Sequence, residues 1–317
     1  MNIKKIVASV IMVASLGATA EENLWVYTKA TDTRPQGSWE LKLSDVSRIG
    51  KGSGYYVFHD IRPEVEYGIT DRLTVGVEAM YFVHDYMVQN DALAPMSDGY
   101  GNTDRHYSAD FSGYELTLKY NVLSPYKDVF GLSFALGYEN RTKYRLDGAD
   151  ILQDSYTATV FAQKNYLQDT LTFALNWKTE YEERTSPSDT RSDGTYEEEI
   201  AFDVSAGVSY RVKPKHFVGL EFRHQSDYLS PKVDGDYDDP SLRASSFKFP
   251  RIGLGTQHQN GNYVGPTYHY AEQNWWITAG VLFQIHGDGS HHAYNTHGRN
   301  YDEHEEVHLA LIYGYEF

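Results

Sequence analysis

The stretch Val307-His308-Leu309-Ala310-Leu311-Ile312-Tyr313-Gly314-Tyr315-Glu316-Phe317 decides the fold. Val307, Leu309, Leu311, Tyr313, Tyr315 and Phe317 put an apolar or aromatic group on every second position, and the residues between them are mostly small or polar. Period two is the signature of a β-strand with two different faces. An apolar aromatic face opposite a polar one, ending on phenylalanine, suits a strand with lipid on one side and a polar lumen on the other.

The same alternation recurs along the chain, about twelve segments in all. Outward sets are read at Trp39, Leu41 and Leu43; at Val57, Ile61, Val65 and Tyr67; and at Leu73, Val75, Val77, Ala79 and Tyr81. Others follow at Tyr114 to Val122, Phe130 to Tyr138, Leu171 to Tyr181, Ile200 to Tyr210, Val218 to Phe222, Val264 to Tyr270 and Trp275 to Ile285. The segment from Tyr156 to Tyr166 has an ambiguous phase, and Phe247 to Gln257 reads equally as an extra strand or a loop. Connections alternate between tight (Gly68 to Asp71, Ser124 to Asp128, Leu167 to Asp169) and long (Asp85 to His106, Thr142 to Asp154, Leu229 to Gly261). This alternation predicts an all-β, transmembrane antiparallel up-and-down β-barrel of about twelve strands, with short periplasmic turns and long extracellular loops.

Residues 1–20 combine Lys4 and Lys5, an apolar run from Ile6 to Leu16 and the small residues Ala18-Thr19-Ala20, as a cleaved secretory signal does. Residues 21–38 then read as a periplasmic N-terminal segment and 39–317 as the barrel. No stretch reaches the roughly 18 apolar residues of a membrane helix. The 317 residues include no cysteine, which excludes disulfides, thiolate metal sites and Cys nucleophiles. With 28 basic and 44 acidic residues the formal charge is −16, so nucleic acid is not a partner. The 27 tyrosines against a polar mean hydropathy of −0.54 fit a barrel whose aromatics collect at two interfaces.

The stretch Leu24-Trp25 through Thr31-Asp32-Thr33, Pro35, Gly37 and Trp39-Glu40, with Glu66-Tyr67-Gly68-Ile69-Thr70-Asp71-Arg72-Leu73 and Val264-Gly265-Pro266-Thr267, resembles a porin-like family of Gram-negative outer-membrane barrels of unknown function. The resemblance implies a fold and a compartment, the outer membrane with its lipid and lipopolysaccharide, and brings no catalytic residues. It also implies that the barrel-assembly machinery reads the strand ending at Phe317.

Twelve strands close at a backbone radius of roughly 12 Å, leaving a narrow lumen. Inward positions include Glu64, Glu78, Glu115, Glu139, Glu180 and Asp203, with Arg211 and Arg223 among the bases, and acids outnumber bases about two to one. Such a wall is a set of solvated charge pairs, or a path favouring cations and neutral polar solutes. A surface-binding or structural barrel without transport is the alternative.

Two further patterns carry possible chemistry. His286, His291, His292, His297, His304 and His308 crowd the last hairpin, and His286, His304, Glu306 and His308 are read as inward, a donor set that suits a divalent metal or a proton-linked charge change. The acidic run Asp234 to Asp239 alternates like calcium ligands but lacks the distal glutamate of a hand-type loop. No cofactor is implied.

A third reading is an outer-membrane lipid hydrolase. His224-Gln225-Ser226 resembles the His and Ser of twelve-stranded outer-membrane phospholipases, in which an Asn orients the His, and Asn262 falls outward on the next strand. The Asn-Gly-Arg that follows the Ser in that family is replaced here by Asp227 and Tyr228, and the expectation is a barrel that is not an enzyme.

Overall fold

The computed structural model describes residues 23–89, 105–185, 196–229, 248–249, 252–253, 257–288, 298–301 and 303–317. Strands β1 (Trp39–Lys51), β2 (Gly54–Thr70), β3 (Leu73–Val88), β4 (His106–Leu123), β5 (Gly131–Lys143), β6 (Asp150–Tyr166), β7 (Leu171–Thr185), β8 (Tyr196–Lys213) and β9 (His216–Leu229) follow one another around the wall. β12 (Gln257–Ala271), β13 (Trp275–Asp288) and β14 (Val307–Glu316) complete it, and β14 pairs with β1 to close the barrel. All pairings are antiparallel, giving twelve strands without a free edge. Between β9 and β12, β10 (Lys248–Phe249) and β11 (Ile252–Gly253) form a separate ladder, so the described residues of that stretch add no strand to the wall.

The outward sets read from the sequence lie on the outer face: Leu41, Val77, Leu116, Leu136, Leu175, Leu220 and Leu311 are all exposed. The ambiguous strand resolves as β6, with Leu152, Tyr156 and Val160 outward. In β4 the phase changes along the strand. Phe111 and Tyr114 are both outward because Ser112 is a bulge opposite Met80 and Tyr81, with Gly113 at φ 142°.

Residues 23–36, expected to lie outside the barrel in the periplasm, instead run inside it. Starting at Asn23, whose carbonyl accepts from Thr278 Oγ1 of β13 (2.5 Å), the segment passes β8 and β9, then β7 and β6, then β4 and β5. It leaves past β3 and β2 at the rim of short turns, where Arg34 Nη1 meets Glu316 at 2.8 Å. This path hugs the wall without joining its ladder, so its N–H and C=O groups need other partners. Side chains supply them. Glu221 accepts the N–H groups of Val26 (2.9 Å), Tyr27 (2.8 Å) and Thr28 (2.6 Å). Asn176 accepts from Lys29 N–H and donates to its carbonyl (2.5 and 2.8 Å), as a neighbouring strand would. Gln163 accepts from Thr31 N–H, Thr74 accepts from Arg34 N–H, Lys119 donates to Ala30 O, and Asn121 and Ser133 donate to Thr31 O.

The wall makes room by omitting side chains. A Cβ on Gly207 would stand 2.4 Å from the Trp25 ring and one on Gly280 would stand 2.5 Å from Val26 Cγ2. Trp25 is buried with Leu24, Ala174 and Phe217, and its Nε1 donates to Val208 O at 3.2 Å. Burying an indole this completely is worth about 3–5 kcal/mol against its loss.

Two outcomes test this docking. Because the chain has no cysteine, Thr31→Cys reports the segment alone: maleimide labelling should be slow in the native barrel and at least about tenfold faster with Gly207→Val added, about 1.4 kcal/mol of lost docking. Equal rates would place the segment outside the lumen. Glu221→Ala should release the Val26 to Thr28 amides to hydrogen exchange, a loss on the order of 3 kcal/mol of local protection, while strand amides far from Glu221 keep theirs.

Candidate functional site: a charged lumen cavity

Above the N-terminal segment lies a cavity of about 390 Å³. Its floor is the segment itself, through Asn23, Val26, Tyr27 and Lys29. Toward the long-loop rim the inner wall changes character. Tyr56 and Phe58 of β2 and Met80, Phe82 and Val88 of β3 form a buried apolar cluster on the lumen side, and Leu146 of the β5–β6 connection packs into it. That connection belongs to the long loop expected to stand outside. Tyr56 Oη and the His84 ring hold the Arg145 carbonyl at 3.3 and 3.0 Å, and Tyr86 Oη donates to Asp147 O. Folding the loop inward gives five inward apolar side chains a partner that a water-filled lumen would not.

Between these two boundaries the wall is charged. Glu64, Glu78, Glu115 and Glu139 are direct register partners across β2, β3, β4 and β5, so four carboxylates stand in one continuous row across the wall. Like charges opposite one another are destabilising unless answered. Lys42 continues the row on β1 and meets Glu64 at 2.5 Å. Arg62 reaches Asp60 at 2.6 Å, Glu78 at 2.8 Å and Glu115 at 3.7 Å, and Arg141 reaches Glu139 at 3.1 Å. Lys29, carried by the N-terminal segment, lines the same cavity as Glu64, Glu78 and Glu115. On the opposite arc Lys178 pairs with Glu180 at 2.9 Å and Arg223 with Asp203 at 2.5 Å, with the Arg223 guanidinium stacked 3.5 Å over the Tyr27 ring.

The sequence-derived lumen residues Glu64, Glu78, Glu115, Glu139, Glu180, Asp203 and Arg223 all line this cavity. Arg211 does not. It sits at the short-turn rim, where the β6–β7 turn (Leu167, Gln168 and Asp169, all at positive φ) points carbonyls inward, and its Nη2 donates to Asp169 O at 2.6 Å. The expected two-to-one excess of acids also shrinks, because the cavity is lined by thirteen acidic and ten basic side chains. Lys29, Arg48, Arg145 and Arg184 account for the difference, two of them supplied by the N-terminal segment and an inward loop.

The expected metal set does not assemble. His304 and His308 are buried, but His286 is exposed on the outer face, since a bulge between Gln284 and His286 of β13, opposite Asn262 and Tyr263, reverses the phase. Glu306 is exposed and packs over Gly50, and it is Glu305 that meets His308 Nε2, at 3.3 Å. His308 Nδ1 bonds Tyr27 Oη at 2.8 Å, so this imidazole ties the N-terminal segment to β14. Burial holds the His304 ring down at about 3, so it stays neutral near pH 6 and gives no charge change there. Among the described residues no three His, Asp or Glu side chains converge as a metal site. The run Asp234 to Asp239, and His291, His292 and His297, lie outside the described residues. On the outer wall, His224, Ser226 and Asn262 are brought together.

The functional elements that sequence reasoning missed are the N-terminal segment and its cradle. The signal was present as inward neutral amides, Asn176, Gln163 and Asn121, beside inward glycines 207 and 280. A hydrated pore needs neither.

The fold agrees with that of one solved channel. The COG4313 outer membrane channel from Pseudomonas putida F1 superposes with a TM-score of 0.57 at 13% identity, over 92% of this chain and 100% of the channel. The beta domain of the Bordetella autotransporter BrkA gives a TM-score of 0.48 at 10% identity, over 90% of this chain and 100% of that domain. The NanC porin gives 0.45 at 10% identity, over 87% of this chain and 98% of the porin. No curated protein matches in sequence. The model of the "Family of unknown function (DUF6662)" matches residues 17–317, and the chain belongs to that family.

Proposed function

We propose that this protein is a narrow channel of a Gram-negative outer membrane, passing small hydrophilic solutes with a preference for cations, and that residues 23–34 set its resting conductance. The observation that carries this reading is the in-register row Glu64, Glu78, Glu115 and Glu139, facing a cavity whose floor is a docked segment rather than wall. A row of carboxylates in a low-dielectric enclosure raises the local cation concentration and opposes anions. The floor is held by side-chain hydrogen bonds that water can replace, whereas the wall is held by a continuous ladder; the floor is therefore the element that yields. Lys29 is part of the same element, so its departure would both widen the path and leave the carboxylate row less compensated.

A second reading, a sealed barrel with a structural or surface-binding role, is favoured by the apolar cluster of Tyr56, Phe58, Met80 and Phe82 that closes on Leu146. Planar-bilayer recording separates the two. The intact barrel should give a small conductance, and a barrel lacking residues 23–34 one several-fold larger, with the reversal potential in a salt gradient moving further toward cation preference. Neutralising Glu64, Glu78 and Glu115 to Gln together should weaken that preference, and 1 M salt should screen it over about 3 Å. Absence of current from the shortened barrel would sink the channel and leave the sealed one; anion preference would remove the carboxylate row from the mechanism.

A further inference from the structure

On the outer wall near the long-loop rim, three polar side chains form a hydrogen-bonded chain. His224 Nδ1 lies 2.9 Å from Asn262 Oδ1, and His224 Nε2 lies 3.1 Å from Ser226 Oγ. His224 and Ser226 continue on β9 the outward face of Val218, Leu220 and Phe222, and Asn262 is the register partner of His224 on β12. The two ring nitrogens therefore have separate duties. An amide oxygen accepts only, so Nδ1 carries the proton and Nε2 is left with a lone pair directed at the serine hydroxyl. The Asn262 amide is itself oriented, since its Nδ2 approaches Asn260 Oδ1 at 3.4 Å and His286 O at 3.5 Å.

A second outward histidine shows that such clusters do not all have this form. His59 is contacted by Ser47 Oγ at 3.0 Å and by Asp45 Oδ2 at 3.2 Å, both on Nδ1, so no proton can pass through its ring from one to the other. Nucleophile, base and orienting group in line, through opposite nitrogens, is the arrangement that activates a hydroxyl.

The surroundings indicate the substrate. Ser226 is buried beside Phe202, its register partner on β8, and Tyr228 stacks edge-on against Phe202 at 5.7 Å. Asn260, the register partner of Ser226 on β12, and Tyr228 place an amide and a hydroxyl on the same face, linked through Gln257, whose Oε1 accepts from Asn260 Nδ2 and whose Nε2 donates to Tyr228 Oη, both at 3.1 Å. The exposed apolar residues Phe283 and Ile285 of β13 lie on the outer face next to His286. A hydroxyl here, at the edge of the apolar belt and away from the lumen, meets the depth at which acyl chains join their head groups.

We propose that Ser226, His224 and Asn262 constitute an acyl-ester hydrolase site on the membrane-facing wall, acting on the fatty acyl ester of a lipid. Ser226 Oγ attacks the ester carbonyl carbon as its proton moves to His224 Nε2. The carbon–oxygen bond to the alcohol breaks, and the departing alkoxide takes that proton. Water, deprotonated by the same nitrogen, then attacks the acyl-serine, releasing the fatty acid and restoring Ser226. Asn262 is a positioning residue that keeps the imidazole in the required tautomer. This site is independent of the lumen and of the channel reading.

The test uses the full folded barrel in detergent, with heat-modifiable gel migration confirming the fold of each variant. A fluorophosphonate probe should label the native protein covalently, and Ser226→Ala should abolish labelling while leaving conductance unchanged. His224→Ala should slow labelling at least about a hundredfold. Asn262→Ala should lower kcat for a long-chain p-nitrophenyl ester with little change in KM, and Asn262→Asp should restore most of it. Fatty acid release from phospholipid micelles and, separately, from lipopolysaccharide distinguishes the two sources of acyl ester. Labelling that persists in Ser226→Ala, or a native barrel that neither labels nor releases fatty acid from either lipid, overturns the proposal.

Discussion

A strand inside a barrel wall finds its hydrogen-bond partners in its neighbours; a segment laid along the inner face of that wall does not, and Glu221 is the answer this protein gives. One carboxylate gathers three consecutive N–H groups, and with Asn176, Gln163 and Thr74 it replaces a ladder by individual side chains. Everything distinctive about the interior follows from that substitution. Where the segment lies against the wall, glycine takes the place of a side chain; where the segment ends, Arg34 gathers Glu40, Glu66 and Glu316 at the rim. The cavity above has a floor because this set of bonds exists.

The cavity also shows how a wall can carry four adjacent carboxylates in register. Each member of the row has a cation within reach, but the cations come from several elements: Lys42 from β1, Arg62 from β2, Arg141 from β5 and Lys29 from the segment below. Compensation drawn partly from a segment outside the ladder ties the local potential to where that segment sits. A lumen whose charges were all paired within the ladder would not have that property.

The wall was legible in the sequence because period-two alternation survives any change in what the two faces touch. Val75, Leu116, Leu175 and Val218 could be placed outward from the pattern alone. What escaped the pattern were its interruptions. The bulge in β13 turned His286 to the outer face, and the one at Ser112 kept both Phe111 and Tyr114 outward. A single inserted residue leaves no compositional trace, so phase beyond it cannot be extrapolated. The lumen charge was misjudged for a different reason: Lys29 and Arg145 belong to segments that look like exterior connections, and their inward course depends on long-range contacts with Asn176 and His84. The outward trio of His224, Ser226 and Asn262 was visible because it spans two neighbouring strands at one register.

The docked segment also bears on how the molecule is made. It stands immediately before β1, the strand that meets β14 at the seam, and it touches the wall as far round as β13. Once that seam is shut, the segment can reach its berth only by passing end-on through the ring; while the seam is open, it can be laid down laterally as each strand is added. The cheaper route makes the segment a form around which the wall is wrapped. Its bonds to β4 through β9 can then hold the curvature of a half-built sheet before the last two edges find each other.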